Sequence, residues 1–82
     1  MLSSVYKSKK KEFLFIYVDH QRGLDPVPED LLAHFGEAEW VLDVELDESR
    51  NLATEDPVIV MCNIRQQGYH LQLPPADLQE GR

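Results

Sequence analysis

Cys62 stands in the apolar run VIVMCNI, eight residues ahead of His70. A thiol that an imidazole can reach is the pairing nucleophilic catalysis needs, provided the thiol's pKa is also lowered. Val, Ile and Met neighbours instead suit a cysteine that packs as a small hydrophobe, and burial is the expected state of Cys62. Asp43 and Glu45 fall two apart in WVLDVEL, which puts both carboxylates on one face of a strand. Such a stripe has metal-binding or general-acid potential, although a solvent-facing side of a sheet explains it more simply. His20, His34 and His70 fall in a loop, a helix and a strand, and with one cysteine they do not make a zinc pattern. The four glycines stand far apart, so there is no phosphate-binding loop. No catalytic residue, metal or cofactor is expected, and an enzyme of unknown type is the least favoured reading.

Charge gives a different lead. Lys7, Lys9, Lys10 and Lys11 are the only lysines, and from Glu12 onward four arginines face fifteen acids. The net charge of −7 repels polyanions from most of the surface. The KSKKK segment is the exception. Its simpler reading is a solvated hairpin turn, and its sharper one an anion or phosphate contact. Strand aromatics stack bases where a basic groove accompanies them, although in so short a chain Tyr6, Tyr17, Tyr69 and Trp40 serve more readily as core. The candidate binding residues are accordingly Lys7, Lys9, Lys10 and Lys11 with Tyr69 and His70 of the last strand.

The elements that must position these residues are legible in outline. Eighty-two residues make one domain with a small core. Residues 2–6 are a short strand, and residues 12–18 (EFLFIYV) a second that does not alternate, as a strand covered on both sides would not. PEDLLAHFG reads as a helix with Pro28 in its first turn, Glu29 and Asp30 at its positive end, Leu31, Leu32 and Phe35 on one face, and Gly36 as a left-handed cap. Residues 40–46 alternate, with Trp40, Leu42, Val44 and Leu46 expected to face the core. Residues 47–51 are a turn. Residues 54–67 combine a β-branched run with helix signals: Thr54 or Asp56 as cap, Pro57 in the first turn, Gly68 as stop, and Val60, Met61 and Ile64 on one face. These signals favour a helix. YHLQL closes the sheet before Pro74 and Pro75, which cannot donate ladder hydrogen bonds. The expected fold is a single-domain α+β sandwich of order β-β-α-β-α-β, a four-stranded, mainly antiparallel sheet with two helices mostly on one face. Residues 1–78 form the domain and 79–82 a polar tail.

Three stretches, VYKSKKKEFLFIYV, VPEDLLAHFGEAEWVLDVELDESRNLA and QQGYHLQLPPADL, together resemble the YcgL-domain family of small bacterial proteins across about residues 4–78. The resemblance implies an α/β sandwich, a cytoplasmic protein of no established activity, and no cofactor or catalytic residue to transfer. Ser3 and Ser4 stand where the family usually carries a cysteine, and His70 where it usually has tyrosine. In some bacteria the gene is thought to lie beside that for ribonuclease D, an associational hint toward RNA metabolism. The lone cysteine suits a reducing compartment and no stretch is long enough to span a membrane, so a cytoplasmic location is expected. The expected function is a non-catalytic protein-protein interaction module with another protein as partner. The alternative is an RNA-metabolism accessory that partners a ribonuclease or touches RNA through Lys7 to Lys11.

Overall fold

The structure, a computed structural model, describes residues 1–49, 52 and 55–74. The elements are β1 (Leu2–Ser8), β2 (Phe15–Asp19), α1 (Glu29–Phe35), β3 (Ala38–Glu45), α2 (Pro57–Gln67) and β4 (Tyr69–Gln72), in the expected order. The strands form one antiparallel sheet of spatial order β3-β1-β2-β4, so β3 and β4 are its edges. The tail at 79–82, Thr54 as a cap and Pro75 as a stop all lie outside the described residues.

The helices are not on one face. Directly paired residues share a side of a sheet and neighbours along a strand alternate. Val5, Tyr17 and Val44 fall on one side and pack with Leu46 and with Val60, Met61 and Ile64 of α2. Ile16 and Val18 fall on the other and pack with Leu14, Val27 and Phe35, the last residue of α1. The chain crosses the sheet twice, once over each face. Central β2 therefore buries Ile16, Tyr17 and Val18 in succession, which is why its sequence does not alternate.

Local chemistry sets the boundaries. The Asp56 side chain accepts from the Val58 amide at 2.9 Å, Pro57 opens α2, and Gly68 closes it at φ 97° and ψ −6°. Pro28 is the residue preceding α1 rather than part of its first turn, and Gly36 has φ 86° with ψ −165°, outside the left-handed helical region expected of it. The hairpin turn is longer than expected because β2 begins at Phe15, not at Glu12. Ser8 causes this. Its amide donates to the Leu14 carbonyl at 2.9 Å, and its hydroxyl accepts from the amides of Lys10 (3.0 Å) and Lys11 (2.9 Å). Phe13 takes φ 63° within that turn, and Leu14 swings into the core.

Candidate functional site

Edge strand β3 departs most from its expected alternation. Trp40 is 56% exposed and Leu42 44%, whereas Val44 and Leu46 are buried. A bulge is responsible. Val5 pairs with Leu42 but Tyr6 pairs with Trp40, so Val41 is an extra residue on β3. An extra residue flips the side on which the following part of a strand presents its side chains. Trp40 accordingly leaves the side of Leu42 and joins that of Asp43, three residues away, which a regular strand would put on the opposite side.

A polar cluster results. The Trp40 indole N–H donates to Asp43 Oδ1 at 3.0 Å, and the Ser4 hydroxyl donates to the same oxygen at 2.7 Å. His20 Nδ1 lies 2.9 Å from Ser4 Oγ and 3.5 Å from Asp43 Oδ2. With the Ser4 proton on the carboxylate, the Ser4 oxygen accepts from His20 Nδ1–H. The hydrogen bonds from Trp40 and then Ser4 hold the Asp43 carboxyl below its ordinary value, so it is ionised at neutral pH. Serine, histidine and aspartate meet here, but not as a nucleophilic triad. The carboxylate touches the serine instead of the far imidazole nitrogen, and Ser4 is only 4% exposed. What faces solvent is an indole beside a fixed carboxylate.

The other candidates separate. Lys7 to Lys11 occupy the hairpin end. Lys7 Nζ reaches Glu39 at 3.8 Å and Lys9 Nζ reaches Glu37 at 3.2 Å, so two of the four lysines pair with acids in or just before the start of β3. A shallow groove of about 600 Å³ is lined there by Lys7, Lys9, Lys10, Phe13, Glu12 and Glu39 among others. Phe13 is 62% exposed within it. Tyr69 and His70 sit on β4, opposite Val18 and Tyr17, towards the other end of β2 from the lysine turn. The six residues thus do not form one site.

His70 is instead half of a latch. Its Nε2 bonds Glu55 Oε1, its Nδ1 lies 2.9 Å from Asn63 Nδ2, and its ring meets Tyr17 edge-on with centroids 5.8 Å apart. With Glu55 as carboxylate, Nε2 carries the proton and Nδ1 accepts from Asn63. The latch fastens the start of α2 to β4. Burial first, and the Glu55 charge second, push the Tyr17 hydroxyl above its usual pKa. As pH rises past about 10 the unfolded chain loses that proton while the folded chain keeps it, so stability falls over that window. Urea midpoints taken on either side of about pH 10 are expected to fall more for the native protein than for Tyr17→Phe. Equal falls would remove Tyr17 as the cause.

Cys62 is exposed, contrary to expectation, because the buried stripe of Val60, Met61 and Ile64 turns it outward. His70 is held by Glu55 and Asn63, so the two do not make a thiol–imidazole pair. Glu45 shares the face of Asp43 but bonds the Met1 amino group at 2.8 Å. Among the described residues no group of three metal-ligating side chains gathers, and no helix is long and apolar enough to cross a membrane.

A four-stranded antiparallel sheet with one helix on each face, and an acidic, partly apolar edge, defines the class of domain. Its sequence relationships agree with that architecture. The family model for the YcgL domain matches residues 3–75. A YcgL domain-containing protein of Pseudomonas fluorescens is 45% identical over 76 residues, 93% of this chain and 78% of that protein. Counterparts in Stutzerimonas stutzeri (46% over 77 residues, 94% of this chain and 79% of that protein) and Pseudomonas aeruginosa (46% over 76 residues, 93% and 78%) are similar. The chain belongs to the YcgL-domain family.

Proposed function

We propose that the protein is a non-catalytic, cytoplasmic interaction module that takes an extended, basic segment of another protein as an added strand beside β3. The observation that carries this is an eight-residue edge strand with Trp40, Val41 and Leu42 all exposed along it. An edge offers unpaired backbone donors and acceptors, and alternate side chains select the occupant. Glu37, Glu39 and Glu45 are engaged by Lys9, Lys7 and the Met1 amino group, so it is Asp43, in a chain of net charge −7, that favours a basic partner. A second copy suits it poorly, because two chains of net charge −7 would bring like-charged edges together. The bulge at Val41 shortens the run open to regular pairing and so narrows the choice of partner. Exposed, unpaired Cys62 suits a reducing compartment.

Affinity capture from a bacterial lysate, with the native chain and with Leu42→Lys, which sets a like charge against a basic segment, side by side, tests the reading. A specific protein retained by the native chain and lost by the variant is expected. Leu42 is a surface residue, so the variant keeps the fold, and circular dichroism verifies this. Identical retention by both chains, or no specific protein at low salt, counts against strand addition.

One observation favours the RNA reading as a second: Phe13, exposed at φ 63° beside four lysines. A backbone held in a sparsely populated region is a pointer to function, and a ring beside lysines suits a stacked base. Against it, Glu37 and Glu39 already engage two of the lysines. Filter binding of single-stranded RNA at two salt concentrations decides. Direct contact requires affinity that falls with salt.

A further inference from the structure

Within the strand-addition reading, on which this step rests, we propose that the Trp40–Asp43 corner receives an arginine side chain of the added segment, stacked on the indole and hydrogen-bonded to the carboxylate. Three features converge on that chemistry. The indole N–H is tied to Asp43 Oδ1, which fixes the ring edge beside the carboxylate while leaving the ring 56% exposed. Oδ1 already accepts from both Ser4 and Trp40, whereas among the described residues Oδ2 has only His20, at 3.5 Å. The open oxygen and the open ring thus lie together, on the side of the sheet to which the bulge moved Trp40.

A cation over tryptophan is attracted by the ring's electron-rich face. A planar guanidinium can stack on that face and donate along its edge at the same time, which an ammonium cannot do. The carboxylate is ionised at neutral pH, so the N–H···O bond would be charge-assisted. The bulge acquires a purpose here: it brings to one side of the strand two side chains that a regular strand holds apart. The chain's net charge of −7 steers a basic segment towards it, and the corner selects where in that segment the arginine must fall.

Trp40 is the only tryptophan, so a single indole N–H resonance reports on the corner. Two probes separate this step from the reading beneath it. N-acetylarginine amide tests the corner without any strand. A capped hexapeptide alternating valine and arginine tests both, and its N-methylated form abolishes strand pairing. The arginine amide is expected to shift the Trp40 indole resonance saturably, whereas the citrulline amide, neutral but of similar shape, does not. The valine-arginine peptide is expected to bind at least about tenfold more tightly than its citrulline or lysine counterparts, and Asp43→Asn to lose a similar factor. Asparagine keeps an acceptor for Trp40 and Ser4, so this variant removes charge and not the fold. No arginine shift, equal binding of the citrulline or lysine peptide, or undiminished binding by Asp43→Asn overturns the corner. If the N-methylated peptide binds as tightly as its parent, strand addition falls while the arginine site stands. If the citrulline peptide binds as tightly as the arginine one and only N-methylation weakens it, strand addition stands and the arginine site falls.

Discussion

Replacing Gly68 with alanine is expected to lower stability by about 2–4 kcal/mol, from two separable causes. Gly68 has φ 97°, a conformation that residues with a Cβ rarely adopt, and a Cβ there would fall 2.4 Å from Pro26 Cβ. The backbone term costs on the order of 1 kcal/mol or more. The overlap adds roughly 1–3 kcal/mol, because neither a prolyl ring nor a helix end yields easily. In a domain of this size that corresponds to a fall in Tm of at least about 10 °C. Two further variants divide the causes. Gly68→Asn tolerates positive φ better than alanine but keeps the collision. Pairing Gly68→Ala with Pro26→Gly removes the collision but keeps the backbone cost, and a double-mutant cycle extracts the coupling. A drop of under about 0.5 kcal/mol for Gly68→Ala would mean that the loop carrying Pro26 does not press on the α2–β4 junction. The corner at Trp40 lies at the opposite edge of the sheet, so its response to arginine is expected to survive below the lowered Tm.

That junction was among the most legible parts of the chain. Asp56, Pro57 and Gly68 are start and stop signals that act through local backbone chemistry, and they outweighed a β-branched run that reads as a strand. The unbroken apolar stretch in β2 also carried its meaning locally, since a strand with no wet side must be covered twice. Its consequence, one helix on each face, follows from that stretch, yet the expectation of helices on one face ignored it. Cys62 was misplaced for a similar reason. The period that groups Val60, Met61 and Ile64 turns Val58, Ile59 and Cys62 to solvent, but apolar neighbours in sequence suggested burial. The corner itself was not legible. It depends on one extra residue in the pairing of β3 with β1 and on contacts between Ser4 and Asp43, 39 residues apart. Alternation in WVLDVEL gives no sign that the pattern breaks at Val41, because a bulge belongs to two strands and not to one sequence.

Ser8→Ala is expected to cost roughly 1–3 kcal/mol and to loosen the hairpin turn specifically. The Ser8 hydroxyl donates to the carbonyl of Phe35, the last residue of α1, and accepts from the amides of Lys10 and Lys11. One buried oxygen therefore serves three backbone groups from two separate elements. Alanine leaves the Phe35 carbonyl without this donor beneath a covered surface, where desolvation is not recovered. The two turn amides lie nearer solvent and regain part of their loss from water. The stability loss should thus arise mainly from the α1 end, and the dynamic effect mainly in the turn. Amide hydrogen exchange distinguishes these: faster exchange at Lys10 and Lys11 is expected, with β4 amides changing only in proportion to global stability. Phe13 owes its left-handed backbone to this turn, so freeing the turn should also let Phe13 relax towards an extended conformation. If RNA affinity exists and depends on the held ring, it should fall in this variant although every lysine remains. Unchanged exchange at Lys10 and Lys11 would show that the turn is held by its packing against Gly36, where an added Cβ would fall 2.8 Å from Lys10 Cβ, and not by the Ser8 hydroxyl.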